Sequence, residues 1–145
     1  MDISKPIFIS HASEDRELAN ELCCYMEANG LHCWLAPRDI PAGANFGEAI
    51  TEGIERSGLL ILILSRAANR SDLVLNEIAI ALDHKLRILP FRIDDTPIVR
   101  RLQPFLKTIR ILDAAGGTPS DHFETLHKAC IGIPGLYFLM TAGQR

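Results

Sequence analysis

Neither G-x-G-x-x-G nor G-x-x-x-x-G-K-[ST] occurs anywhere in the 145 residues, which removes the common glycine cradles for dinucleotides and triphosphates. The first candidate strand-to-helix turn reads Ser10, His11, Ala12, Ser13 instead. Cysteine is sparse: Cys23, Cys24, Cys33 and Cys130 contain no C-x-x-C pair, and no histidine stands at zinc-site spacing. The five histidines His11, His32, His84, His122 and His127 make no convincing ligand set, so no metal is expected and a reduced, cytoplasmic setting is. A basic leader followed by an apolar run is missing at Met1, because strand-like IFIS begins almost at once; secretion is not indicated. Basic excess is also missing. Fifteen Lys and Arg against 18 Asp and Glu give a net charge of −3, so nucleic acid is not expected as a main partner. The C-terminal IPGLYFLMTAGQR is apolar but too short to span a bilayer.

What is present is core material and regular punctuation. A hydrophobic share of 48% suits one compact domain of this length. Ile7, Phe8 and Ile9 read as a strand, Ser13 as an N-cap with Glu14 and Asp15 in the first turn, and Gly30 as the end of a helix carrying Leu18, Leu22, Tyr25 and Met26. His32 to Trp34 form a second strand, and the Pro- and Gly-bearing APRDIPAGAN a loop. Asn45 and Glu48 have capping-box spacing ahead of a helix with Phe46, Ala49, Ile50 and Ile54 on its apolar face. The unbroken run from Leu59 to Leu64 fits a central parallel strand covered on both sides.

Ser65 to Ser71 read as a polar connection, and Leu73, Val74, Ile78, Ala81 and Leu82 as the apolar side of a third helix ending near His84-Lys85. Arg87 to Phe91 are a fourth strand. Thr96 and Pro97 are read as the cap and first position of a short helix limited by Pro104. Thr108 to Leu112 are a fifth strand, and Asp121 with Glu124 a capping box opening a last helix through Phe123, Leu126 and Cys130. Five βα units with short connections imply right-handed crossovers and a three-layer α/β sandwich around a parallel sheet.

FISHASEDRELA at residues 8 to 19, WLAPRDIPAG at 34 to 43 and SRAANRSDLVLNEIAIAL at 65 to 82 resemble, in this order and spacing, the characteristic segments of the Toll/interleukin-1 receptor (TIR) domain in its bacterial form. LPFRIDD at 89 to 95 agrees with the fourth strand and following loop of that family. The resemblance covers roughly residues 5 to 132 and implies a flavodoxin-like module with strand order 2-1-3-4-5. In that order the first and third strands are neighbours, and a crevice opens between the loops after Ser10 and Leu64. Residues 1–132 are thus expected to be the domain, with 133–145 a C-terminal extension or the start of a linker to a sensor or assembly domain.

The resemblance further implies either NAD hydrolysis in bacterial immune signalling and antiviral defence, activated by self-association as a dimer or open assembly, or noncatalytic adaptor binding to other TIR domains. Family enzymes carry an essential glutamate six residues after a serine; Ser71 and Glu77 have that spacing, which makes Glu77 the implied catalytic residue. Where many relatives have tryptophan, four residues earlier, this chain has Leu73. Arg38 and Asp39 match the arginine-aspartate of the loop bordering the cleft, for pyrophosphate contact or for holding the loop. His11 is a candidate for the nicotinamide end, with Ser10 and Ala12 supplying surface in the same turn. Trp34 reads as core edge or adenine stack, Phe46 as helix packing, and Ser71 as substrate contact or helix start.

The chemistry asks little of such a site. Breaking the nicotinamide–ribose bond expels a cationic group as a neutral base, so little general-acid help is needed. One carboxylate opposing the charge that develops on the ribose suffices, unlike the usual two-carboxylate glycosidase pattern. NAD is then substrate, not cofactor. A phosphoryl-receiver reading of the same general fold fails at Leu64-Ser65, where its acceptor aspartate would stand.

Overall fold

Alternation along two adjacent strands builds two separate cores, one on each side of a single sheet. In the computed structural model, which describes residues 5–132, β1 (Ile7–Ser10), β2 (Cys33–Trp34), β3 (Leu59–Leu64), β4 (Ile88–Arg92) and β5 (Leu112–Asp113) form a parallel sheet in the order β2-β1-β3-β4-β5. Ile7, Ile9, Leu59, Ile61, Ile63 and Phe91 face one way, toward α1 (Arg16–Ala28) and α6 (Phe123–Ile131). Phe8, Leu60, Leu62, Leu64 and Ile88 face the other, toward α2 (Phe46–Arg56), α3 (Arg66–Asn69), α4 (Asp72–Asp83) and α5 (Gln103–Leu106). The three-layer sandwich and its strand order are therefore as expected. All six residues of β3 are buried, the condition under which an uninterrupted apolar strand is stable.

β1 lies between β2 and β3, pairing Ile7 with Cys33 and with Leu59, and Ser10 with Leu62. This adjacency makes the crevice at the C-terminal ends of β1 and β3. Side-chain caps then fix the helices that flank it: Asn45 Oδ1 accepts from the Glu48 amide, Ser65 Oγ from Ala68 and Ser71 Oγ from Val74.

Several local expectations are corrected. Ser65 to Ser71 are not merely a connection, since Ser65 caps the short α3. Ser13 is not an N-cap; it starts a 3-10 turn (Ser13–Asp15) and makes no cap bond. No helix starts at Pro97, because the peptide groups there are taken by side chains: the Thr96 amide donates to Asp94, while Arg92 and Asn69 donate to the carbonyls of Thr96 and Pro97. Pro104 consequently lies in the first turn of a later helix, α5, rather than limiting an earlier one. The fifth strand is displaced to Leu112–Asp113, since Ile109 is still bonded to Leu106 in the turn that ends α5. Asp121 caps nothing and lies within a 3-10 turn, Pro119–His122. The apolar cluster of residues 133–145 lies outside the described residues.

One glycine is dictated by close approach. A Cβ on Gly53 of α2 would stand 2.6 Å from the Trp34 ring, and that ring cannot easily retreat because it stacks on Phe8, centroids 5.0 Å apart and planes 10° from parallel. Gly53→Ala is expected to lower stability by about 1–2 kcal/mol, the overpacking exceeding the gain in helix propensity. Urea unfolding measures it, and a stabilised variant would contradict the packing argument.

Candidate functional site at the β1–β3 edge

Glu77 lies on α4 in the buried stripe Val74, Glu77, Ile78, Ala81, the i, i+3, i+4, i+7 set that a helix turns toward a sheet. Ser10 follows Phe8 by two residues and so faces the same side of the sheet. Its hydroxyl donates to Glu77 Oε1 at 2.7 Å, and both residues are buried, with Glu77 only 3% exposed. Burial raises the Glu77 carboxyl to about 7, against the opposing effect of the Ser10 hydrogen bond. A buried acid poised near neutrality beside a cavity is the environment expected of a working group rather than a solvated helix surface.

The cavity is small, ≈ 90 Å³, and Glu77 is the carboxylate that lines it, together with His11, Arg16, Pro37, Phe46 and Leu73. Phe46 and Leu73 are 50% and 41% exposed. They give the cavity exposed apolar surface beside His11, Arg16 and Glu77. His11 is held below its ordinary range, chiefly by burial, with its Nδ1 3.5 Å from the Ile9 carbonyl. Behind the pocket, Ser65 donates to Asp15, whose carboxyl burial raises, and so ties the loop after β1 to the loop after β3.

The structure thus brings together Ser10, His11, Leu73 and Glu77. Ala12 is buried beside them in the same loop, and Ser71 serves as the N-cap of α4. Arg38 and Asp39 lie elsewhere and line no part of this pocket. Asp39 accepts from the Leu35 amide at 2.8 Å, while Arg38 bridges Asp39, Glu27 and the Cys33 carbonyl, at 2.8–3.1 Å. Burial alone would raise Glu27, but its bonds from Arg38 hold it below the usual carboxylate range. This network fixes the start of the loop that delivers Ala36 and Pro37 to the pocket.

Two lining residues escape the sequence reading. Phe46 sits on an apparently apolar helix face yet is half exposed. Arg16 opens α1 within the FISHASEDRELA segment, which gives it no role of its own; its signal is being the first cation after the β1 turn. Larger hollows exist, including one of ≈ 580 Å³ among Lys5, Trp34, Asp39, Glu52 and Arg56, but it mixes charges of both signs and holds no buried acid. Among the described residues no group of His, Cys, Asp and Glu is arranged to hold a metal ion, and no helix is long and apolar enough to cross a membrane.

No curated protein matches the sequence. Among solved structures, the TIR domain of the Toll-related receptor TRR-2 from Hydra magnipapillata is 25% identical, with a TM-score of 0.71 over 85% of this chain and 95% of that one. The TIR domains of the activated Roq1 resistosome, which recognises the pathogen effector XopQ, align with a TM-score of 0.74 at 16% identity, over 87% of this chain and 99% of that one. The CMP N-glycosidase BcmB of Clostridium botulinum aligns at 0.63 and 12%, over 86% and 99%. These likenesses are likenesses of fold. A family model described as the TIR domain matches residues 7–128, most of the chain, and the protein therefore belongs to the TIR domain family.

Proposed function

We propose that this TIR domain is an NAD glycohydrolase that releases nicotinamide and ADP-ribose, or a cyclic isomer, with Glu77 as its catalytic carboxylate. The observation that carries the reading is the burial of Glu77 at the base of a pocket, with one oxygen held by Ser10 and the pocket open at the C-terminal edge of the central strands. An ionised carboxylate there opposes positive charge on the ribose as the bond to nicotinamide breaks, an interaction stronger in the transition state than before it. Phe46 and Leu73 offer apolar surface for a flat ring, and Arg16 a cation for the pyrophosphate. The resemblance points also to Arg38 and Asp39, and the first loop and α4 offer His11, Ala12 and Ser71 as further candidate contacts, Ser71 also starting its helix. Arg38 and Asp39 would act on substrate through the loop they hold. That a TIR-like fold can serve N-glycosidic cleavage is supported by the clostridial CMP N-glycosidase.

A pocket of ≈ 90 Å³ falls well short of the several hundred Å³ that a bound nucleotide occupies. Self-association, completing the site from a neighbouring copy, answers this shortfall. It fits the assemblies named for two structural neighbours, a resistosome and a TIR heterodimer. The same observation favours the second reading, an adaptor acting by homotypic binding with Glu77 dispensable. Nicotinamide release measured across a range of protein concentrations separates them: the enzyme turns over NAD with a rate per molecule that climbs with concentration. Absence of release from concentrated, assembled protein would leave only the adaptor.

Ser10→Ala refines the test. The serine's hydrogen bond favours the ionised carboxylate, so its loss raises the Glu77 titration further. The rising limb of activity against pH is expected to move up by about one unit. An unmoved profile would dissociate Ser10 from the chemistry.

A further inference from the structure

β2 is an edge strand: β1 pairs with it on one side, and among the described residues no strand pairs with the other. The Ile7 amide donates to the His32 carbonyl at 2.9 Å, which turns the peptide groups of His32 toward β1. These groups alternate in direction along a strand, so Cys33 and the following Leu35 turn theirs outward. Outward amides and carbonyls are a template for a further strand. Here all four are already taken. The Cys33 amide donates to Glu27 Oε2 at 3.3 Å, and the Cys33 carbonyl accepts from Arg38 Nη2 at 2.8 Å. The Leu35 amide donates to Asp39 Oδ2 at 2.8 Å, and the Leu35 carbonyl accepts from the Asp39 amide at 2.9 Å.

Arg38 holds this arrangement together. Its guanidinium meets Glu27 at 3.0 and 3.1 Å and Asp39 at 2.8 Å, joining a carboxylate of α1 to one of the loop after β2. Without a cation between them the two anions would push each other off the strand. The flank is otherwise shallow: two open hollows, one beside Glu27 and Arg38 and one beside Trp34 and Pro41, share His32 and Asp39 as lining residues.

We propose that Glu27, Arg38 and Asp39 form a seal over the β2 edge, and that breaking it opens the edge to a second copy of this chain. The edge is self-complementary, which makes another copy the occupant. A residue whose amide and carbonyl both face outward is the kind that exchanges two hydrogen bonds with the residue opposite it in an antiparallel pair. A two-fold axis at Cys33 puts Cys33 opposite Cys33, and each amide then meets the carbonyl of the other copy. In the unaltered chain the seal occupies those same groups. The inference stands whether or not Glu77 cleaves NAD.

The test is amide hydrogen exchange over a range of protein concentrations, comparing the full chain with its Glu27→Ala/Arg38→Ala variant. The variant loses one charge of each sign, so its formal net charge stays −3 and association cannot come from weaker overall repulsion. In dilute solution, exchange at the Cys33 amide is expected to rise about tenfold over the unaltered chain. With increasing concentration that amide is expected to regain protection, and sedimentation to show more dimer than the unaltered chain gives at equal concentration. The Val74 amide, held by Ser71 on α4, serves as the unaffected reference. Unchanged exchange at Cys33 in dilute solution would overturn the seal. Faster exchange that ignores concentration, or a dimer that leaves Cys33 unprotected, would overturn the edge contact. Glu27→Ala alone carries both measurements should the double variant fold poorly, because the Cys33 carbonyl keeps a second lone pair for a partner's amide.

Discussion

Glu77→Gln is expected to reduce nicotinamide release about 10²- to 10³-fold, the cost of removing one preorganised electrostatic contact from a transition state. The substitution keeps the shape and an acceptor for the Ser10 hydroxyl, so the loss is one of charge. Its pH behaviour distinguishes it from a folding defect. In the unaltered protein burial raises the carboxyl to about 7, so activity is expected to rise with pH through neutrality as the anion forms; in the variant the residual rate is expected to be flat there. Equal release by both proteins would remove Glu77 from the mechanism.

Stability moves the opposite way. The folded-state value is raised from 4.5 to about 7, so the folded protein binds the proton more tightly than the unfolded chain does. The contribution is fully present below the unfolded value and is lost as pH rises through the folded one. Between those limits the protein is expected to lose on the order of 3 kcal/mol from this group, and Glu77→Gln to lack that slope. Denaturant melts at pH 5 and pH 8 measure the difference. A steeper fall in the variant than in the parent would contradict the burial of the charge.

Phe8→Ala is expected to cost about 3–5 kcal/mol, as large-to-small changes of buried aromatic residues do. Phe8 is 1% exposed in the inner strand β1, stacks on Trp34, and packs with Ile50, Ile54 and Leu60. The lost ring would leave a void that three rigid elements cannot collapse into, since β1 is held on both sides by strand pairing. It also lines the Glu77 cavity, so the variant should weaken the pocket as well as the fold. Equilibrium urea unfolding checks the magnitude, and a loss below about 1 kcal/mol would mean that the β1–α2 contact relaxes freely.

Particular residues show where sequence reasoning was sufficient. Leu59 to Leu64 admit only a doubly covered strand, because any exposed face would place three leucines or isoleucines in water. Asn45 before its helix and Gly30 after one are local signals that held, whereas the equally local cap signals at Ser13 and Asp121 did not. The failures cluster where side chains compete with the backbone for hydrogen bonds. Asp94, Arg92 and Asn69 occupy the peptide groups around Thr96 and Pro97, and no pattern in the adjacent residues announces Asn69, which is 28 positions from Pro97. Leu73 and Leu82 illustrate the same limit in reverse, being apolar and yet on the partly exposed side of α4, while the acidic Glu77 takes the buried stripe.

By itself the sequence determined the class of fold, the central strand and the family resemblance, and it singled out Glu77 as the candidate carboxylate, because periodicity, caps and segment spacing are properties of neighbouring residues. Tertiary structure alone decided which groups meet. Ser10 and Glu77 are 67 positions apart and touch only because β1 pairs beside β3 and α4 packs over both. Arg38, equally near in the loop reading, was drawn instead to Glu27, Cys23 and Cys33, since a guanidinium settles where carboxylates, a sulfur and a carbonyl can together satisfy its donors.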